Sequence, residues 1–287
     1  MSSETSQEPP ILYEVSAGVA TITLNRPERK NSLSEELVGS LSLMLDRAIG
    51  DDAVRVVVVT NTGNTFCAGA DLKSATPGLS DTDDAASPGE AADEAPKRSF
   101  VDVFAQMLDS PKPVVGRIDG HATGGGVGLV AACDISVMRA DAKIGFTEVR
   151  IGVAPAVISV VCLPKMTRAD ALELFLTGDR ITPARAAEIG LINRAVEPES
   201  LDETVDDLVG MCLRGGPDAL AAAKDLVFRV PTMERDAAFA WTAVRSRELF
   251  ESEEASVGIA AFRDRVDAPW VPAAPVVDDS PGSAASA

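Results

Sequence analysis

The stretch Gly120–Asp134, "GHATGGGVGLVAACD", decides how this chain folds. Five glycines open it, and a run of small apolar residues that is typical of a buried helix follows them. It comes directly after "KPVVGRIDG" (112–120), which predicts a strand. Glycine at such a junction indicates an unusual backbone conformation or a close approach to another group. The turn is therefore either a ligand site or a point of tight packing.

A dinucleotide site is the first interpretation, because "GVGLVA" (126–131) formally fits the G-x-G-x-x-A pattern. In such sites the turn follows its strand almost at once and lies in the first strand–helix–strand unit. Here residues 121–125 intervene and the unit lies in the middle of the chain. The sequence therefore disfavours a nicotinamide or flavin site, and a G-x-x-x-x-G-K-[ST] phosphate loop is absent from it.

An oxyanion site is the second interpretation of the glycine-rich turn. Bare glycine N–H groups can approach a ligand closely, and a helix start adds unpaired donors and partial positive charge. These suit the negative oxygen of an enolate or a tetrahedral intermediate. Close helix packing also needs glycine, and these residues alone do not separate the two. A second small-residue turn, "NTFCAGADLKS" (64–74), follows the strand "VRVVVVT" (54–60), so two turns can each offer one N–H donor.

Composition limits the classes of partner. The 287 residues carry a net charge of −18, which phosphate backbones and anionic membranes would repel. We therefore expect no nucleic acid and no membrane as a partner, and we find neither an apolar run of membrane-spanning length nor a signal peptide. Four scattered cysteines predict free thiols in the cytoplasm, and the single histidine excludes a multi-histidine metal site.

Periodic patterns predict an α/β core followed by helices. Residues 11–24 predict a hairpin. Ser34 is an N-cap candidate, and Leu37, Leu41 and Leu45, at intervals of four, predict a helix after it. The alternation of strands and helices favours a largely parallel sheet. Predicted helices follow at about 168–177, 183–189, 200–213, 217–229 and 234–263. The predicted divisions are a flexible tail (1–10), the core (11–198) with a mobile loop (74–98), a helical region (199–266) and a disordered tail (267–287). The loop is either a lid over a site or plain disorder.

Three segments together resemble the signature segments of the crotonase superfamily, which comprises the enoyl-CoA hydratases, the isomerases and their relatives. They are "FCAGADLK" (66–73), "KPVVGRIDGHATGGGVGLVAACDI" (112–135) and "AKIGFTEVRIGVAPA" (142–156). The resemblance implies a spiral of ββα units with a C-terminal helical, oligomerisation region, and a homotrimer or a hexamer built as a dimer of trimers. It also implies an acyl-CoA thioester substrate and no separate cofactor, since CoA arrives with the substrate.

The resemblance assigns three residues to catalysis. The thioester carbonyl would lie between the N–H of Ala70 and that of Gly125, which stabilise an enolate. Glu148 would be the acid–base group, and a salt bridge with Arg150 is the ordinary alternative for this carboxylate. His121 comes just before the turn, where it either assists a water or, as we prefer, binds backbone and orders the loop.

The resemblance also implies contacts to CoA, from Cys67, Ala68, Asp71, Lys73, Lys30 and Gly124. The backbone of Cys67 and Ala68 would meet the adenine, and the two lysines would meet the phosphates. A solvated surface charge is the alternative for each lysine. For Asp71, as for Asp134, the alternative is a carboxylate that caps backbone N–H groups.

One departure from the family pattern concerns the reaction. The straight-chain hydratases commonly place two glutamates on one water, and the first would stand where this chain has Gly128. With Glu148 alone, an enoyl-CoA hydratase is our first interpretation, a Δ3,Δ2-enoyl-CoA isomerase the second and a non-catalytic acyl-CoA binder the third. The segments are most similar to those of bacterial hydratases of branched or substituted enoyl-CoA, such as methylglutaconyl-CoA. The apolar "AVISVV" (156–161) indicates either a reshaped acyl pocket or core packing.

Overall fold

The computed structural model describes residues 8–71 and 98–272, which form ten strands and ten α-helices. The strands are β1 (Ile11–Ser16), β2 (Val19–Leu24), β3 (Val56–Asn61), β4 (Thr65–Cys67), β5 (Val114–Ile118), β6 (His121–Thr123), β7 (Ile135–Arg139), β8 (Ile144–Gly145), β9 (Arg180–Ile181) and β10 (Arg194–Val196). The α-helices are α1 (Glu35–Gly50), α2 (Phe100–Asp109), α3 (Gly125–Ala132), α4 (Ala156–Cys162), α5 (Arg168–Thr177), α6 (Pro183–Glu188), α7 (Leu201–Leu213), α8 (Pro217–Arg229), α9 (Arg235–Phe250) and α10 (Glu253–Asp264). Among these helices, none is long and apolar enough to cross a membrane.

A six-stranded sheet with the order β1-β2-β3-β5-β7-β10 forms the centre of the core. The predicted hairpin is its antiparallel edge, and the other strand pairs of this sheet are parallel. Every residue of β3 is buried, because side chains cover both faces of the sheet. Val57 and Val59 belong to one apolar cluster with α1, whereas Val56 and Val58 pack in another with α7. This two-sided burial explains the unbroken valine run in the sequence.

A second sheet of short strands, in the order β4-β6-β8-β9, brings together the segments that carry the candidate site. Strand β4 pairs in parallel with β6, and β6 pairs in parallel with β8. The chain passes from β4 into Gly69, from β6 into Gly124 and from β8 towards Glu148. Because parallel strands point the same way, these three continuations emerge at one edge of the small sheet.

The C-terminal part is helical as predicted, with two differences in detail. The single predicted helix at 234–263 is wrong, because the chain turns at Glu251 and Ser252 caps a new helix by accepting from the N–H of Ala255. Residues 267–272 belong to the described chain, and the indole of Trp270 donates to the carbonyl of Arg214 at 3.1 Å. The predicted mobile loop lies outside the described residues apart from Arg98, as does the tail beyond residue 272.

Candidate active site

The two small-residue turns meet backbone to backbone. Gly69 has a φ of +84°, and a Cβ at this position would lie 2.9 Å from the carbonyl oxygen of Thr123 and 3.0 Å from the nitrogen of Gly125. A Cβ on Gly125 would lie 3.9 Å from the nitrogen of Ala70. Any side chain at Gly69 would therefore force the turns apart. Glycine serves close packing here, and that packing sets two backbone nitrogens side by side.

Within the described residues, the N–H groups of Ala70 and Gly125 are unpaired. Neither donates a hydrogen bond to another residue within 8–71 or 98–272. Gly125 is the first residue of α3, so its N–H has no carbonyl one turn earlier to reach and lies at the positive end of the helix. Ala70 is exposed and Gly125 is half-buried, so a ligand can reach both donors. Two adjacent unpaired donors of this kind are what an oxyanion hole requires.

Glu148 points its carboxylate at the same turn. It opens a short 3-10 helix (Glu148–Ile151), and a Cβ on Gly124 would lie 3.5 Å from its Oε1. Its Oε2 is buried without a hydrogen-bond partner in the described chain, and burial raises the pKa of this carboxyl. The alternative salt bridge with Arg150 is not formed, because Arg150 pairs with Asp179. A half-buried, unpaired carboxylate beside two free donors suits a general acid–base group.

Apolar side chains fill the place where a second carboxylate would stand. A Cβ on Gly128 would lie 2.5 Å from Cγ2 of Ile158 and 2.7 Å from Cζ of Phe104. Both side chains are buried, Ile158 on α4 and Phe104 on α2. We call these two residues the apolar wall. Only the bulk of "AVISVV" hinted at it in the sequence, and nothing there indicated Phe104.

Helix α4, which carries Ile158, ends at Cys162 within range of the charge of Glu148. Burial raises the pKa of Cys162, one turn beyond Ile158, to about 12, and the Glu148 carboxylate adds to this increase. Ile158, Val161 and Cys162 form the buried face of the helix, whereas Val157 and Val160 are exposed. The run "AVISVV" therefore contributes both core packing and a side chain beside the candidate site.

The residues expected to contact CoA lie next to the first turn. Ala68 donates its N–H to the carbonyl of Lys30 at 3.0 Å, and its own carbonyl accepts from the hydroxyl of Thr123 at 3.1 Å. Lys30 is exposed, but Cys67 is wholly buried, so Ala68 is the accessible member of that pair. Gly124 lies beside Gly69, since a Cβ on Gly124 would be 3.7 Å from the Cα of Gly69.

Two of the expected polar roles can be compared with the structure, and two stay predictions. Asp134 caps backbone as predicted, because its carboxylate accepts from the N–H of Val114 at 2.8 Å. His121 binds backbone as preferred, with Nδ1 accepting from the N–H of Lys143 at 2.9 Å. Asp71 is the last described residue before the gap, and its contact with CoA stays a prediction. Lys73 lies outside the described residues.

The contact between the turns gives a first prediction. Gly69→Ala should lower kcat/KM towards the acyl-CoA thioester that the sequence resemblance implies by about 100-fold, because a displacement of the donors by about 1 Å is enough for such a loss. Gly18→Ala is the matched control, since Gly18 has a φ of +82° and the nearest atom to its added Cβ lies at 3.5 Å. Both variants carry the left-handed strain, so thermal unfolding should shift in both. Steady-state assays that find equal activity in the two variants would contradict the assignment of this contact.

Comparison with known proteins places this geometry in a family. The sequence model of the enoyl-CoA hydratase/isomerase family matches residues 14–272. (E)-Benzylidenesuccinyl-CoA hydratase of Thauera aromatica is 30% identical, over 89% of this chain and 96% of its own length. 1,2-Epoxyphenylacetyl-CoA isomerase of Escherichia coli is 32% identical, over 69% of this chain and 74% of its own length.

Solved structures give the same result for the fold. The crystal structure of an enoyl-CoA hydratase of Mycobacterium smegmatis has a TM-score of 0.79 and 29% identity, covering 92% of this chain and 99% of its own. A structure from Legionella pneumophila, titled as an enoyl-CoA hydratase/isomerase (crotonase), has a TM-score of 0.79 and 28% identity, covering 92% of this chain and all of its own. The predicted crotonase-type α/β fold is confirmed, and the chain belongs to the enoyl-CoA hydratase/isomerase family of enzymes, in the crotonase superfamily.

Proposed function

We propose that the protein is an enoyl-CoA hydratase-type lyase that adds water to a 2-enoyl-CoA thioester. The observation that carries this proposal is the buried Oε2 of Glu148 beside the N–H groups of Ala70 and Gly125, all three without a hydrogen-bond partner in the part of the chain that the structure describes. Two relatives that are named hydratases, one of Thauera aromatica and one of Mycobacterium tuberculosis, support it. The proposal involves no metal and no redox cofactor.

The reaction follows from these three groups. The N–H groups of Ala70 and Gly125 donate to the thioester oxygen, which becomes an enolate oxygen when water attacks C3. Each such donor is worth about 2.7–4 kcal/mol of the barrier. Glu148 takes one proton from the attacking water and then returns it to C2, so that one carboxyl group serves first as base and then as acid. Its raised pKa suits both halves of this cycle.

A Δ3,Δ2-enoyl-CoA isomerase is the second candidate, and the apolar wall favours it. Phe104 and Ile158 occupy the space beside Gly128, so no second carboxylate can help to hold a water there. A single Glu148 can instead move a proton between C4 and C2 of a 3-enoyl thioester, with the same two donors on the dienolate oxygen.

An assay on purified protein separates the two candidates. Crotonyl-CoA and methylglutaconyl-CoA are followed by the loss of the enoyl thioester absorbance, and 3-hexenoyl-CoA by its appearance. We expect hydration, confirmed by mass spectrometry of the product in H₂¹⁸O. If only the double-bond shift occurs, the hydratase proposal is wrong and the isomerase proposal replaces it.

The contacts to CoA, the assembly and the compartment complete the proposal. Ala68, Lys30 and Gly124 border the same turn, which supports the proposal that this turn, with Asp71 and Lys73, binds CoA.

Large apolar side chains on the C-terminal helices are exposed in the single chain, with Phe239 at 70%, Phe250 at 73% and Phe262 at 87%. They support a homotrimer or a dimer of trimers. The four cysteines are free, as a reducing cytoplasm would keep them.

The assembly proposal gives a second prediction. Light scattering after size exclusion should give the mass of three or six chains of 29.9 kDa. Phe262→Asp should shift the protein towards smaller species, because a charge would then enter an apolar contact. Arg235→Asp, at an exposed residue near the start of α9, should leave the mass unchanged. A wild-type mass of one chain would contradict the proposal.

A further inference from the structure

His121, the only histidine of the chain, has no part in the proposed reaction. It is the first residue of β6, and its backbone N–H donates to the carbonyl of Asn64 at 3.1 Å. Its Nδ1 accepts from the N–H of Lys143 at 2.9 Å, and the next residue, Ala122, donates to the carbonyl of Lys143 at 3.0 Å. Lys143 is therefore held by both of its backbone polar groups.

These contacts lie at the entrances to all three catalytic segments. Asn64 immediately precedes β4, which leads to Ala70, and Lys143 immediately precedes β8, which leads to Glu148. His121 itself leads through Thr123 to Gly125. The imidazole thus connects the strand that supplies one donor to the strand that supplies the carboxylate. Its contact with Lys143 adds a side-chain hydrogen bond to the pair of strands β6 and β8, which joins only a few residues.

We propose that His121 is a positioning residue, which aligns the oxyanion hole with Glu148 while its imidazole is neutral and which loses this function on protonation. The inference rests on the proposed function. An imidazole nitrogen accepts a hydrogen bond only when it carries no proton, so the contact with Lys143 requires the tautomer with its proton on Nε2. A second proton would occupy Nδ1, and the N–H of Lys143 would lose its acceptor.

Charged side chains line and adjoin the cavity at His121. His121 borders a cavity with Arg139 and Asp141, and Arg139 pairs with Asp141 and with Asp119. The neighbouring Lys143 adds an exposed ammonium group. Two of these groups are cations and two are carboxylates. The loss of the acceptor for the backbone of Lys143 is the specific change.

Two substitutions separate this positioning role from a general need for a polar side chain. In His121→Asn, the amide oxygen takes nearly the place of Nδ1 and can still accept from Lys143. In His121→Gln, the amide oxygen takes the place of Nε2 and cannot. We expect kcat in His121→Asn within about two-fold of the wild type and a loss of about five-fold in His121→Gln, as one hydrogen bond predicts, with KM little changed. Equal kcat values in the two variants would overturn the proposal.

The pH profile and the imidazole nitrogens give a readout that a merely structural role would not move. ¹⁵N NMR of histidine-labelled protein gives the pH at which the imidazole titrates. Below that pH, kcat of the wild type should fall further than kcat of His121→Asn. Above the pH of that titration, Nδ1 should give the signal of an unprotonated nitrogen, and a proton on Nδ1 there would overturn the proposal even if both variants misfold. A wild type without turnover of any enoyl-CoA would instead refute the proposed function, and the NMR result would stand apart from it.

Discussion

Glu148→Gln should lower kcat by about 10²–10⁴-fold, the usual contribution of a general acid–base group, while the affinity for an acyl-CoA stays nearly unchanged. Glutamine has almost the same shape, so it leaves the unpaired N–H groups of Ala70 and Gly125 free to hold the thioester. It cannot take a proton from water. Steady-state kinetics give the loss, and calorimetric titration with a saturated acyl-CoA gives the affinity. Glu173→Gln, at an exposed position of α5, removes the same charge and should change neither.

The same substitution tests the burial of the carboxyl group. Burial raises the pKa of Glu148 above the ordinary glutamate value, so the folded protein binds this proton more tightly than the unfolded chain does. The tighter binding of this proton therefore stabilises the folded protein fully below the pKa that Glu148 has in the unfolded chain. This stabilisation is lost as the pH rises through the pKa that Glu148 has in the folded protein. Glu148→Gln should unfold at the same or a higher temperature than the wild type at pH 7, and the difference should vanish near pH 4.

Two results would contradict the role of Glu148 in different ways. Turnover that survives in Glu148→Gln would show that another group moves the proton. A wild type that binds acyl-CoA tightly but turns over neither 2-enoyl nor 3-enoyl thioesters would support the non-catalytic binder. In that case, the wild type and Glu148→Gln should bind acyl-CoA with the same affinity, because a non-catalytic binder has no proton transfer to lose.

Periodicity predicted the larger elements because their burial is regular. The valines of β3 fill both faces of the large sheet, and the leucines that follow Ser34 at intervals of four form the buried side of α1. The break between α9 and α10 was missed because both sides of it favour helix. Only the cap at Ser252 marks the boundary.

The small sheet and the apolar wall lay beyond sequence reasoning for physical reasons. Strands as short as β4 and β6 have no periodicity of their own, and they exist because each pairs with a distant segment. The motifs indicated Ala70, Gly125 and Glu148, but only the packing of α2 and α4 against α3 shows what surrounds Gly128. A missing carboxylate can be recognised in a sequence, whereas the side chains that fill its space cannot.

The filled space predicts that a second carboxylate cannot simply be added. Gly128→Glu should destabilise the protein by about 3 kcal/mol or more, because its Cβ alone would lie 2.5 Å from Ile158 and the carboxylate would be buried without a partner. Denaturant unfolding measures the loss. Gly210→Glu on α7 is the control, since a Cβ there meets nothing within 4 Å and unfolding should change little.

Removing part of the wall should make the second carboxylate tolerable. In a double-mutant cycle, Gly128→Glu with Ile158→Ala should lose less stability than the sum of the two single losses. The shorter side chain at position 158 leaves space for the new side chain at position 128. If a second carboxylate helps to hold the attacking water, the double variant should hydrate crotonyl-CoA faster than Ile158→Ala alone. Strict additivity would show that the wall does not exclude the carboxylate. Coupled stability without faster hydration would instead mean that Glu148 already moves every proton that the reaction needs.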